Sequence, residues 1–278
     1  MNRSGRRVRY FLRDRTAIVG IVMLLVIATS TILAPWILPY DFKSSAGFPF
    51  EPPSWQHWLG TDEIGRDIFT RLVYGARVSL AVGLVSTTIA LIGGIPLGLI
   101  SGYFGKTTDS VIMRIMDMMF AFPAIILALA IIAVLGPSLV NAMLAIGFMQ
   151  IPLFARLVRS NVLGVKNLDF VQAAVAQGAS NRRLLGVHVL PNCLSSLTVQ
   201  FTLTVATAIL VEAALSFLGL GVAPPQPSWG AMLDTGRKLM TVAPVYAIAP
   251  GAAIFITVLS FNLIGDTLRD TLDPHQVA

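Results

Sequence analysis

Few residues in this chain are of a kind that does covalent chemistry, and their spacing keeps them apart. Cys193 is the single cysteine among 278 residues, so neither a disulfide nor a cysteine metal site can form within the chain. His57, His188 and His275 are far apart in sequence, and the topology derived below separates His57 from the other two by a membrane. They build no metal centre. The string Gly102-Tyr103-Phe104-Gly105-Lys106-Thr107 has the tail of a phosphate loop. Ile100, however, stands where G-x-x-x-x-G-K-[ST] needs its first glycine, and no strand precedes it. It reads as a turn at a helix end. No catalytic residue, metal ligand or cofactor is assigned to this chain, so energy for any work has to come from elsewhere.

Two features remain. Glu212 is the one acidic residue inside an otherwise uncharged run, Leu194 to Leu220. An acidic residue at the centre of a membrane helix costs roughly 2.5–3.5 kcal/mol, so it needs a wet cavity, a partner or a basic group. Helical rise puts it about 12 Å inward from Leu220. It either lines a pathway or is a neutral or paired structural acid, with Arg77 the nearest basic candidate by depth.

The second feature is the segment Asp169–Asn192, DFVQAAVAQGASNRRLLGVHVLPN, which is water-compatible yet lies between two long apolar runs. Asp169 is expected to cap a short helix, with Gln172 completing a capping box. Gly178 can end that helix in the left-handed conformation. A second short helix follows from Ser180, and Pro191 marks the next boundary. Ala173 and Ala174 give the first helix a flat face suited to a groove on another protein. A solvated, alanine-rich loop is the alternative.

The elements around these features belong in a bilayer. Hydrophobic residues make up 55% of the chain and charged ones 12%, about half the charge of an ordinary soluble domain. Ala17–Leu38, Val78–Ser101 and Leu239–Gly265 contain no Asp, Glu, Lys or Arg, and each exceeds the ~20 residues that span a membrane. Met118–Ala155 is also uncharged and would reach about 57 Å as one helix. Leu135-Gly136-Pro137-Ser138 breaks it into two spans joined by a tight turn. With the run through Glu212, six spans result, the third beginning near Val111. The first run is too long for a signal-peptide core and is followed by Pro35-Trp36-Ile37-Leu38-Pro39, a poor cleavage site, so it reads as a retained helix. Gly94, Gly98 and Gly102 form a small-residue stripe for close helix approach, with intramolecular packing favoured over a subunit interface. Pro96 within it is expected to kink the helix. The cluster Met113, Met116, Met118 and Met119 reads as gap-filling at a packed interface.

Basic residues orient the bundle. With the N-terminus inside, the inner segments carry Arg3, Arg6, Arg7, Arg9, Arg13, Arg15, Lys106, Arg114, Arg156, Arg159, Lys166, Arg182, Arg183 and Arg269. The outer ones carry Lys43, Arg66, Arg71, Arg77, Arg237 and Lys238. This asymmetry places both termini and Asp169–Asn192 in the cytoplasm. The net charge of +6 then reflects the anionic inner leaflet, and no nucleic-acid partner is implied.

Gln172-Ala173-Ala174, Gly178 and Leu190-Pro191 resemble the coupling loop of binding-protein-dependent ABC importer permeases, with Gln172 where a glutamate is usual. Leu59-Gly60-Thr61-Asp62-Glu63-Ile64-Gly65-Arg66-Asp67, Leu215-Ser216-Phe217-Leu218-Gly219-Leu220-Gly221 and Pro227-Ser228-Trp229-Gly230 are similar to the dipeptide/oligopeptide/nickel branch and its C-type permease subunit. The resemblance implies an all-α bundle of six membrane helices, a type I permease core at 77–278 and an added N-terminal part at 1–76, with the coupling loop at about 156–195. It implies a multi-pass subunit of a bacterial plasma (inner) membrane importer for peptides. Its partners would be a B-type permease, one or two cytoplasmic ATPases holding ATP and Mg, an extracytoplasmic binding protein, and lipid. Asp169, Phe170, Val171, Gln172, Ala173, Ala174, Gln177 and Gly178 would couple to the ATPases. Glu212 is the pathway candidate, and Asp62, Arg66, Asp67 and Trp229 are candidates for external contact. Other readings are a nickel or small-solute permease, an ion-gradient transporter and a non-transporting scaffold.

Overall fold

The computed structural model describes residue 11 and residues 13–272; Arg3, Arg6, Arg7, Arg9 and His275 lie outside these. Helix α1, Arg15–Ile37, is capped by Asp14, whose carboxylate accepts from the amides of Thr16 and Ala17. Those bonds, led by the Thr16 hydroxyl, hold the Asp14 carboxyl below the ordinary carboxylate range. An irregular segment, residues 38–67, leads to α2, Ile68–Phe104, which Asp67 caps by accepting from the Thr70 amide. Helix α2 begins earlier than its uncharged stretch suggests, because Arg71 and Arg77 find partners at its first turns. The expected boundary at 76/77 therefore falls inside one continuous helix.

Helix α3, Lys106–Ala121, follows Gly105, a turn residue at φ +64. Helix α4, Ala124–Leu135, is bent 91° from α3 at Phe122-Pro123. The third span, expected to begin near Val111, takes the form of this bent pair: Phe122, preceding a proline, is held extended at ψ 135, which ends α3. The turn at Gly136–Ser138 forms where expected. Ser138 caps α5, Leu139–Val165, and the Asn141 side chain donates to the carbonyls of Leu135 and Gly136 at 2.9 Å.

Helix α6, Asp169–Ala176, is the short helix of the polar segment. After it, Asn181–Phe217 forms one helical run, α7, with a π-helical stretch over Leu184–Val189. Pro191 was expected to mark a boundary and instead lies within this run. The wider π turn, with the Leu190 amide reaching back to Leu185 O, admits a proline ring that would clash in a regular α-helix. Helix α8, Trp229–Lys238, and α9, Val245–Leu272, complete the chain.

Among the described residues, α1, α2, α5, α7 and α9 are each long and apolar enough to cross a membrane, and the bent pair α3–α4 makes a possible sixth span. Helices α2, α5 and α7 form the centre. The glycine stripe of α2 packs inside the chain, as expected. A Cβ at Gly98 would lie 2.6 Å from Val158 Cβ, and one at Gly102 would lie 2.8 Å from Val162 Cβ. Pro96 sits within the single helix α2. Of the methionine cluster, Met116 is buried and Met118 exposed, so gap-filling describes only part of it.

Candidate functional site

The polar segment builds a helix-turn that projects from one end of the bundle. Asp169 is the first helical residue of α6, and Leu168 takes the cap position without a side-chain bond. The expected capping box does not form. Gln172 instead donates through Nε2 to Lys166 O at 3.0 Å, fastening α6 to the end of α5. The stop is as expected: Gly178 has φ +80, its amide bonds Val175 O, and Ala179 N bonds Ala174 O, the paired pattern of a Schellman motif.

The face that α6 presents differs from expectation. Ala174 and Val171 are turned into the chain, in a cluster with Leu184 and the flanking Tyr103, Val165 and Ala179. Asp169, Phe170, Gln172, Ala173, Ala176, Gln177 and Gly178 are exposed. The two alanines thus do different work, because neighbours on a helix point about 100° apart. Ala173 is on the free face and Ala174 is in the mount. The mount is further tied by Tyr103 Oη to Asn181 Oδ1 at 3.2 Å and Lys166 Nζ to Gly102 O at 2.9 Å. At the same end, Asp109 of α3 takes both Nε and Nη2 of Arg159 at 2.6 Å and a bond from the Ser101 hydroxyl. Arg156 donates to Asp117 at 2.6 Å. The two arginine pairs are not legible in the sequence, since separations of 50 and 39 positions carry no periodic signal.

Glu212 is buried within the bundle. Ser79 Oγ of α2 donates to its Oε2 at 3.2 Å, and Ser216 Oγ to its Oε1 at 2.7 Å. The Ser228 hydroxyl, which also accepts from Ala231 N, faces the same carboxyl. Arg77 is not its partner: that guanidinium donates to Thr31 O at 2.8 and 3.0 Å and lies over the Tyr74 ring. Hydroxyls of α2 and of α7 itself therefore supply the hydrogen bonds that a buried acid requires. The spacing of Ser216, four residues on, was the one legible signal.

At the opposite end, Asp62, Arg66, Asp67 and Trp229 are buried, not presented outward. Asp62 accepts from the amides of Ile64 and Arg66 and from Arg66 Nε at 2.6 Å, with Arg71 Nε at 3.5 Å. Asp67 takes His57 Nδ1 at 3.0 Å besides capping α2. Trp229 Nε1 donates to Leu72 O at 2.9 Å. Asp62, Arg66 and Asp67 thus brace the segment 38–67 against the start of α2, and Trp229 ties α8 to α2.

An exposed, mounted helix-turn and a braced irregular segment thus stand at opposite ends of a bundle of membrane-length helices. The model of the binding-protein-dependent transport system inner membrane component matches residues 94–277, the region from the glycine stripe through the helix-turn to the end of α9. The chain belongs to that family. The permease also matches the N-terminal TM domain of oligopeptide transport permease C over residues 5–53, which accounts for α1 as an addition to the core. It is 49% identical over 263 residues to a dipeptide transport system permease protein of Alkalihalophilus pseudofirmus, covering 94% of this chain and 86% of that one. It is 45% identical to a di/tripeptide transport system permease protein of Pseudomonas aeruginosa, covering 95% and 89%. It is 44% identical to a glutathione transport system permease protein of Pectobacterium atrosepticum, covering 96% and 89%. Among solved structures, the MetNI methionine ABC transporter in inward-facing conformations superposes with a TM-score of 0.61 at 21% identity, covering 73% of this chain and 96% of that one. An amino acid ABC transporter gives 0.56 at 15% identity, covering 72% and 94%. These two establish the fold: an ABC importer permease core.

Proposed function

We propose that this permease is one of two membrane subunits of an ATP-driven importer for short peptides. The observation that carries the reading is the α6 helix-turn, held on a rigid mount with its other face free, in a chain whose relatives are named as dipeptide, di/tripeptide and glutathione permeases. The positive-inside asymmetry argues that α6 and both termini are cytoplasmic, in a plasma (inner) membrane. A cytoplasmic ATPase, one or two chains holding ATP and Mg, receives the exposed face of Asp169, Phe170, Gln172, Ala173 and Gln177. Val171, Ala174 and Gly178 hold that face in place. A B-type permease completes the pathway, and an extracytoplasmic binding protein delivers the peptide to surfaces that Asp62, Arg66, Asp67 and Trp229 brace.

Closure of the ATPases would displace α6. Its seat against Leu184 lies at the start of α7, and α7 runs on as one helix to Glu212 and Phe217. A displacement at the mount therefore tilts a rod that reaches the far side of the membrane. Direction comes from the different affinities of the two states for peptide and for ATP. Glu212, pinned by serines in this conformation, would meet the pathway when α2, α7 and α8 part.

The test is uptake by the full transporter reconstituted with its ATPases and binding protein. Peptide-stimulated, vanadate-sensitive uptake is expected. Uptake that collapses with a protonophore at constant ATP would sink the reading. A binding protein that retains nickel would redirect the substrate while leaving the ATP-driven mechanism standing.

A further inference from the structure

A crevice of about 320 Å³ opens beside the outer end of α1, lined among others by Ser30 and Ala34 of α1, Trp55 and Trp58 of the outer segment, and Phe69 and Thr70 of α2. Its walls are mainly aromatic and aliphatic, with Ser30, Gln56, Asp67 and Thr70 the polar members, of which Asp67 is already committed to His57 and to the cap of α2; its size is at the low end for ligand sites. Two observations bear on what fills it. Thr70 is buried, lines the crevice, and its hydroxyl has no hydrogen-bond partner, a state that costs free energy unless a ligand or water supplies one. The crevice is also continuous with the lipid-facing side of α1, where Leu33, Trp36 and Ile37 are exposed. Ser30 lies roughly 10 Å below the end of α1 by helical rise, so the cavity begins at hydrocarbon depth. It ends at the level where Trp36, Trp55 and Trp58 are exposed, the depth that tryptophan favours at a membrane surface.

We propose that this crevice is a binding site for one glycerophospholipid of the surrounding bilayer. An acyl chain lies between Ala34, Phe69 and Val73, and the Thr70 hydroxyl donates to the ester carbonyl at the head of that chain. An amphipathic molecule with a long apolar part and a single acceptor near the interface matches the lining. A folded protein surface does not, because the cavity floor reaches below the membrane surface. The site is independent of the substrate and of the coupling mechanism.

The test uses the intact permease, assembled with its partner subunits, in vesicles of phosphatidylethanolamine and phosphatidylglycerol. A trace of phosphatidylethanolamine carrying a diazirine on one acyl chain is added, irradiated, and the adducts mapped by peptide mass spectrometry. Adducts are expected on residues 55–73 in excess over those on the exposed Val22–Val26 face of α1, which reports ordinary surrounding lipid. Thr70→Val, which keeps the shape and removes the hydroxyl, should lower crevice labelling about fivefold, the effect of one lost hydrogen bond. Ser30→Trp, which fills the mouth from a lipid-facing position, should abolish it while leaving labelling at Val22–Val26 unchanged. Two results would overturn the proposal. One is crevice labelling equal to the α1 background and indifferent to both substitutions. The other is an unlabelled crevice whose Trp55 crosslinks to the binding protein or the partner permease.

Discussion

Ser79 of α2 and Glu212 of α7 meet in the bundle interior, the serine hydroxyl donating to the carboxylate over 3.2 Å. Ser216 closes on the other oxygen at 2.7 Å. No ion pair joins Glu212 among the described residues, so this acid is held by neutral hydroxyls alone. The contact ties α7 to α2.

Glu212→Gln keeps a hydrogen-bonding group at this node by replacing the carboxyl with an amide, since serine hydroxyls accept as readily as they donate. Assembly of the transporter should remain near normal while transport changes. Glu212→Leu strands the Ser79 and Ser216 hydroxyls, each at a cost of about 1–3 kcal/mol, and should lower the thermal stability of the detergent-solubilised complex. Normal transport by Glu212→Gln would remove this residue from the pathway.

The two alanines of α6 should separate by phenotype. Ala173→Glu places a carboxylate on the free face, where an unpaired charge at a desolvated contact costs several kcal/mol. The permease should insert and pair normally yet fail to retain its ATPases on co-purification. Ala174→Glu drives the charge into the cluster with Val171 and Leu184, and the helix-turn itself should become susceptible to limited proteolysis. Equal ATPase retention by Ala173→Glu and the parent protein would exclude α6 as the docking face.

Gly98→Val should damage the helix core. Its Cβ would press on Val158 Cβ and on the Ala155 carbonyl, whereas Gly164 has nothing within 4 Å. Overpacking of this kind costs about 1–3 kcal/mol. A lowered thermal transition is expected for Gly98→Val and little change for Gly164→Val.

Orientation is checked by a cysteine at Ser180, which is exposed on the turn after α6, in a Cys193→Ser background. Impermeant thiol reagents should label it in inside-out vesicles and leave intact cells unlabelled. Labelling of intact cells would reverse the topology and the docking argument with it.

Asp62→Ala should loosen the segment 38–67 and leave the bundle intact. It leaves the buried guanidinium of Arg66 without its 2.6 Å partner, a loss of about 3–5 kcal/mol for a broken buried pair. Protease cleavage between residues 38 and 67 should rise, with the helical signal unchanged.

Uncharged length by itself determined the membrane class and the approximate spans, because a bilayer tolerates few other arrangements of a hydrophobic chain. Gly136 and Gly178 were legible as stops, since a glycine after an apolar or alanine-rich run supplies the left-handed backbone that a helix end needs. The stripe Gly94, Gly98, Gly102 was legible as close packing for the same kind of local reason. What local pattern could not decide was direction and partnership. The 91° turn at Pro123 had a local cue in Phe122-Pro123, but a proline also occurs inside α1, α2, α5 and α9 without ending them. Only packing separates these cases. Which of Ala173 and Ala174 faces out depends on where Tyr103 and Leu184 close against α6. Asp62, Arg66, Asp67 and Trp229 looked like surface chemistry because polar and aromatic residues in a loop usually are. The tertiary structure turned them inward because the first turns of α2 offered Arg71, the Thr70 amide and Leu72 O as partners. Glu212 found serines in place of Arg77 for the same reason. Depth along a helix can be counted from sequence, but the neighbour at that depth is chosen by how α2, α7 and α8 rotate against one another.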